Sequence, residues 1–215
     1  MTTVLVLAVD TATPAVTAGV VELTGGTPRL LAQRVTVDAR AHGELLTPHL
    51  RDAVAEAGHT LADLDALVCG VGPGPFTGLR AGMVTAAALG HALDRPVFPV
   101  CTLDAIAAEV PGEPLLVVTD ARRKELYWAR YAADGTRLDE PAVNRPADIP
   151  LAGVTRIVGA RIHDLGQPVT GPEYPSPLGL VLAADLTGEP GPLTPLYLRR
   201  PDAVEPGARK RVSPG

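Results

Sequence analysis

The sequence predicts an α/β fold in which a larger first unit is followed by a reduced second one. Three observations predict it. Strand-forming runs at residues 4–9, 16–22 and 30–37 are joined by turns too short to hold helices. From residue 40 onward, apolar residues at helical spacing alternate with short buried-strand runs. Residues 141–215 then hold 13 of the 22 prolines and nine of the 22 glycines, a density that breaks long helices.

Each element follows from its residues. Val4–Val9 is an almost unbroken Val and Leu run, as in a strand buried on both faces. A Thr-Ala-Thr-Pro turn leads to a second strand at Val16–Glu22, closed by Gly25-Gly26, and a third at Leu30–Val37, giving an antiparallel meander. Leu46, Leu50, Ala53, Val54 and Ala57 mark a helix that stops at Gly58, with Pro48 delaying or kinking its first turn. Ala66–Val71 reads as a buried strand, Gly78–Leu93 as an Ala-rich helix capped by Thr77, and Val97–Val100 as a further strand. Thr102 is expected to cap a short helix reaching Glu109. Leu115–Thr119 and Glu125–Ala132 open the second unit as a strand pair. The order β-β-β-α-β-α-β-α places the first unit at 1–110 and the smaller, loop-rich second at 111–200. A tail at 201–215, carrying Arg209-Lys210-Arg211 without apolar periodicity, is expected to be mobile.

Composition excludes several classes. With 215 residues, 46% hydrophobic and 20% charged, the chain is globular and long enough to need no disulfide or metal staple. A net charge of −5 argues against an autonomous nucleic-acid binder, and seven aromatic residues supply no base-stacking platform. Two cysteines, Cys69 and Cys101, without framework spacing suit a reducing compartment. The early apolar run is cut by Asp10, too short for a signal peptide or a membrane span. The reading is cytoplasmic, without membrane attachment.

The stretch Gly70-Val71-Gly72-Pro73-Gly74-Pro75-Phe76-Thr77-Gly78-Leu79-Arg80 joins a strand to a helix. Such a turn aims N–H groups and the helix dipole at one point, which suits an anion. Pro73 and Pro75 lack N–H donors, and no Lys-Ser or Lys-Thr pair follows, so a rigid structural turn is the competing reading. Asp10-Thr11-Ala12-Thr13 ends the first strand, and Asp120-Ala121-Arg122-Arg123 is its counterpart in the second unit; neither turn has a glycine to admit a phosphate. Any weak phosphate or nucleotide contact would fall to Asp10, Thr11, Gly72, Gly74 and Thr77. His42 and His49 lie about 10 Å apart along a helix at 1.5 Å per residue, too far for one zinc, and no histidine pair has the i, i+4 spacing. No metal site, nucleophile elbow or activated cysteine is expected. Gly78, Gly82 and Ala86 form a small-residue stripe, which either packs into the chain's own core or admits a partner helix.

Three meandering strands feeding a parallel half resemble the ribonuclease-H-like core used by the actin, hexokinase and Hsp70 superfamily. More specifically, the chain resembles the TsaB (YeaZ) family of tRNA threonylcarbamoyladenosine biosynthesis. The resemblance rests on Val6-Leu7-Ala8-Val9-Asp10-Thr11, Arg40 through Pro48, the loop Gly72–Gly82, Thr119-Asp120-Ala121-Arg122 through Tyr127, and Pro195-Leu196-Tyr197-Leu198-Arg199. Pro75, Gly43 and Ala87 depart from the family, which usually has Ser, Ser and Lys there. The resemblance implies a non-catalytic scaffold that pairs with a TsaD-like subunit through the two helices of its first unit, with a TsaE-like ATPase joining the complex. It implies a homodimer when alone, tRNA contact only through the complex, and no cofactor of its own, with ATP or ADP held at the complex. The metal-binding His-x-x-x-His pair of TsaD has no counterpart in Cys101-Thr102-Leu103-Asp104-Ala105. The expected interface comprises Leu46, His49, Leu50, Gly78, Leu79, Gly82, Met83 and Ala86. The alternative is a small-molecule kinase or ATPase of the same superfamily, which would use Asp10 and the glycine loop.

Overall fold

The computed structural model describes residues 3–199. The expected tail at 201–215, including Arg209-Lys210-Arg211, lies outside the described residues.

The first sheet is built from β1 (Thr3–Asp10), β2 (Ala15–Thr24), β3 (Thr27–Val37), β4 (Ala66–Gly70) and β5 (Val97–Val100) in the order β3-β2-β1-β4-β5. β1 to β3 form the expected antiparallel meander, while β4 and β5 run parallel to β1. Gly25 and Gly26 sit at φ 59° and 83° between the paired residues Thr24 and Thr27. That two-residue turn has the left-handed backbone that matches strand twist, which glycine enters without strain. β1 is central and buried, which explains why its sequence does not alternate.

Helices cover both faces. On one, α1 (His42–Glu56) and α2 (Phe76–Leu93) bury Leu46, Leu50, Leu79, Met83 and Ala86 against Leu5, Leu7, Val9, Leu67 and Cys69. Each fully buried leucine contributes about 1.5–3 kcal/mol of transfer free energy. On the other, α3 (Thr102–Ala108) and α4 (Pro177–Ala183) meet Val6, Ala8, Val21 and Val68. α4 falls within the sequence span 111–200 but packs on the first sheet, and a side chain at Gly19 would collide with its Pro177.

The second sheet contains β6 (Leu115–Asp120), β7 (Leu126–Tyr131), β8 (Ala142–Asn144), β9 (Arg156–Gly159) and β10 (Val169–Thr170) in the order β10-β9-β6-β7-β8. β6, β7 and β8 are antiparallel neighbours, while β9 and β10 are added in parallel. Read from β8, this is the arrangement of the first sheet repeated with shorter strands. Each copy ends its central strand in an Asp turn, at Asp10 and Asp120.

Three local expectations are corrected. α2 begins at Phe76 with Pro75 as N-cap, so Thr77 lies inside the helix and does not cap it. α3 takes Cys101 as N-cap, and the Thr102 hydroxyl points instead at Asp10. Both threonines were one or two residues inside the boundary that the backbone sets. α1 begins at His42 and runs through Pro48, whose missing N–H falls on the exposed side near Glu44.

Candidate functional site

The segments that carry the family resemblance converge on one cleft between the two sheets. Its volume is about 560 Å³, within the range of small-ligand sites. Thr11 and Thr13 line it from the end of β1, Arg40, His42 and Gly43 from the start of α1, and Gly74 to Gly78 from the glycine loop. Asp120, Ala121, Arg122 and Tyr127 form the facing wall, and Tyr197 and Arg199 of the C-terminal strap complete it. A second groove, of about 680 Å³, lies beside α3 and is lined by none of these residues; Asp104 is bonded there to Arg137 and Tyr131.

The strap joins the two walls. The Leu196 N–H donates to the Val71 carbonyl at 2.9 Å, and Tyr197 stacks on Phe76 with ring centroids 5.2 Å apart. Arg80 places its guanidinium 4.9 Å from the Phe76 centroid, a cation–π contact. Arg199 donates to the Ala121 carbonyl and pairs with Glu125. Arg40 on one wall and Arg122 on the other are exposed, with Asp120 the acidic residue of the lining. The rim is therefore net positive although the chain is acidic, and favours an anionic group.

The Asp10 turn is internal. Asp10 is fully buried, with Oδ1 accepting from the Ala12 N–H at 2.8 Å and Oδ2 from the Thr102 hydroxyl at 2.6 Å. Burial pushes its carboxyl from 3.8 up to about 6, against the pull of those hydrogen bonds and of His42. A side chain at Gly70 would overlap this carboxylate. The His42 Nε2–H donates to the Thr13 carbonyl at 2.8 Å, which fixes the ring at the cleft wall.

The expected phosphate contacts divide accordingly. Gly74 and Thr77 line the cleft, and so does Thr11, but its hydroxyl is already engaged with Gly78 and Gly82. Asp10 and Gly72 do not line it. Gly74 is needed for close approach, since a Cβ there would meet the Ala12 carbonyl. The Asp10 carboxylate and the Thr11 hydroxyl are engaged within the turn itself.

The expected interface residues lie mostly on the inward faces of α1 and α2. Leu46, Leu50, Gly78, Leu79, Gly82, Met83 and Ala86 all face the chain's own core. The small-residue stripe admits Thr11 of this chain: a Cβ at Gly78 would lie 2.7 Å from the Thr11 carbonyl, and one at Gly82 would collide with its hydroxyl. His49 is half-buried and bonds Thr36 at 2.9 Å, and burial lowers its pKa from the usual histidine value. The outward face of α2 carries Val84, Ala87, Ala88 and Ala92, bounded by Arg80 and His91, with Val84 61% exposed. Spacing alone marks a close contact without saying with what.

Among the described residues no group of three or more His, Cys, Asp or Glu side chains could hold a metal ion. No helix among them is long and apolar enough to cross a membrane.

Comparison with known proteins agrees with the converging motifs. Residues 29–156 match the family described as TsaD: tRNA N6-adenosine threonylcarbamoyltransferase. An uncharacterized protein of Mycobacterium tuberculosis is 57% identical over 200 residues, spanning 92% of this chain and 93% of its own length. The tRNA threonylcarbamoyladenosine biosynthesis protein TsaB of Escherichia coli is 34% identical over 133 residues, 60% of this chain and 55% of that protein. The solved structure of YeaZ from Pseudomonas aeruginosa superposes with a TM-score of 0.72 at 28% identity, covering 91% of this chain and all of that one. The fold is the actin/Hsp70-like, ribonuclease-H-like one, and the chain belongs to the TsaD family of tRNA N6-adenosine threonylcarbamoyltransferases, in which it is TsaB-like.

Proposed function

We propose that this chain serves threonylcarbamoyladenosine formation on tRNA as a non-catalytic scaffold that pairs with a TsaD-like subunit. The exposed, uncharged face of α2 carries this reading. Val84, Ala87, Ala88 and Ala92 offer an apolar strip of small side chains, flanked by Arg80 and His91, on which another helix can pack closely. The same face serves a homodimer in the absence of the partner. A TsaE-like ATPase joins the assembled pair, tRNA is met through the complex, and an adenine nucleotide held there finds the arginine-rimmed cleft beside it. The setting is the cytoplasm.

A kinase or ATPase would need the Asp10 carboxylate at the cleft to hold a metal–phosphate group. Its burial and its two hydrogen bonds support the scaffold reading instead.

Co-purification tests the proposal. Val84→Glu and Ala88→Glu place a charge on exposed positions, so the chain stays folded while binding to the TsaD-like subunit is lost. A complex that survives both substitutions on a sizing column overturns the pairing. Loss of threonylcarbamoyladenosine from digested tRNA in cells carrying only these variants is the expected cellular readout.

A further inference from the structure

We infer that the turn joining β6 to β7 is an RNA-contact point, at which Arg122 and Lys124 hold phosphodiester groups of a strand running past the cleft. The inference rests on the tRNA-modifying reading above and deepens it, giving this chain its own share of the RNA contact that the complex makes. Arg122, Arg123 and Lys124 stand in succession at φ 60°, 53° and 63°. A left-handed backbone crowds the Cβ of an L residue, a cost that glycine escapes. Elsewhere among the described residues positive φ falls to glycine, apart from Asp94 at the end of α2. Here three cations occupy it. Cationic side chains are therefore kept where glycine would be the less strained choice, and strain of this kind collects at binding sites.

The surrounding bonds hold the turn in that shape. The Arg122 N–H donates to Asp120 Oδ1 at 2.6 Å, the Ala121 N–H to the Glu125 carbonyl at 3.1 Å, and the Glu125 N–H to the Arg122 carbonyl at 3.0 Å. The strap adds Arg199, which pairs with Glu125 and donates to the Ala121 carbonyl. Both carboxylates flanking the tip are thus engaged. The Arg122 and Lys124 side chains, by contrast, are exposed and take part in no ion pair among the described residues. Two further exposed cations stand nearby: Arg40 on the facing wall of the cleft, and Arg145, which follows Asn144, the partner of Leu126 across the sheet. Arg40 and Arg122 line the cleft, whereas Lys124 and Arg145 lie outside its lining. A single phosphate group inside the cleft would leave those two without a role, but the repeating charge of an RNA backbone reaches them. Arginine suits such a ligand because its planar fork matches phosphate oxygens, and contacts of this kind position RNA without reading its sequence.

The test is fluorescence anisotropy of a labelled, unmodified tRNA transcript titrated with the full chain. At 50 mM salt the parent should bind with a Kd of about 100 µM or tighter, weakening roughly 20- to 40-fold at 200 mM if three phosphate contacts are made. The double variant Arg122→Gly/Lys124→Gly should bind at least about tenfold more weakly while its Tm rises by about 2–4 °C, because the backbone is relaxed. Arg122→Gln/Lys124→Gln removes the charges without relaxing the backbone, and should lose the same binding at the parent Tm. Arg51→Ala, at an exposed position of α1, should change neither. A parent that does not bind at 50 mM salt, or double variants that bind like it, overturn the inference. In the latter case, loss of ADP binding assigns the turn to a mononucleotide, and loss of co-purification with the TsaD-like subunit assigns it to a protein surface. A lowered Tm in the glycine variant also overturns it, since the cations then serve the shape of the turn. The titrations use this chain alone, so they read out whether or not pairing through α2 occurs.

Discussion

The Thr102 hydroxyl lies 2.6 Å from Asp10 Oδ2, joining the end of the central strand to the first turn of α3 across 92 residues of sequence. The pair places a carboxyl in a fully buried position, where the charged form is disfavoured.

The folded chain thus holds the Asp10 proton more tightly than the unfolded chain does. The stabilisation is complete below the ordinary value of 3.8 and is lost as pH rises through about 6. At about 1.4 kcal/mol per pKa unit, the loss is about 3 kcal/mol. Asp10→Asn can accept from Ala12 and donate to the Thr102 oxygen, so its stability should be flat across this window and exceed that of the parent at alkaline pH. Urea midpoints measured as a function of pH check both statements.

Arg199→Ala removes the ion pair with Glu125 and the bond to the Ala121 carbonyl, both partly shielded from solvent. A loss of about 1 kcal/mol is expected. The informative signal is local: the Leu196 amide, bonded to Val71, should exchange faster while amides of β1 keep their protection.

Glycine substitutions should separate by contact. Gly74→Ala and Gly82→Ala drive a methyl group into Ala12 and Thr11, at a cost of about 1–3 kcal/mol or a fall in Tm of roughly 2–4 °C for each kcal/mol. Gly43→Ala meets nothing within 4 Å in α1 and should raise Tm, since alanine favours a helix by up to about 1 kcal/mol over glycine. Thermal unfolding of the three variants gives the order.

Both thiols should be inert in the folded chain. Cys69 and Cys101 are buried, and burial pushes the Cys101 thiol up to about 12 and that of Cys69 higher still. A colourimetric thiol reagent at mildly alkaline pH should label neither until denaturant is added, when both react.

Much of the fold was legible because periodicity is local. The Val and Leu run at 4–9, the Gly25-Gly26 turn and the Ala-rich helix each identify themselves within a few residues. What the sequence left open were the long-range partners. Gly78, Gly82 and Ala86 signalled a close approach, yet only the folded chain supplies Thr11, from 67 residues earlier, as the group that approaches. Thr77 and Thr102 have the chemistry of caps, but the helix starts are set by extended backbone at Pro75 and Cys101. The short β8, β9 and β10 lie among prolines that conceal strand periodicity, and α4 returns to a sheet more than a hundred residues upstream. The cleft was legible only as separate motifs, since Arg40, Arg122 and Arg199 come together through both sheets.

The repeated strand order gives the molecule two copies of one turn with opposite fates. Asp10 has become internal mortar, sealed by Thr102, whereas Asp120 stays at the surface and closes its own loop through the Arg122 N–H at 2.6 Å. Mutational tolerance should follow that division. The first copy is brittle around its aspartate, and the second is the half free to diversify.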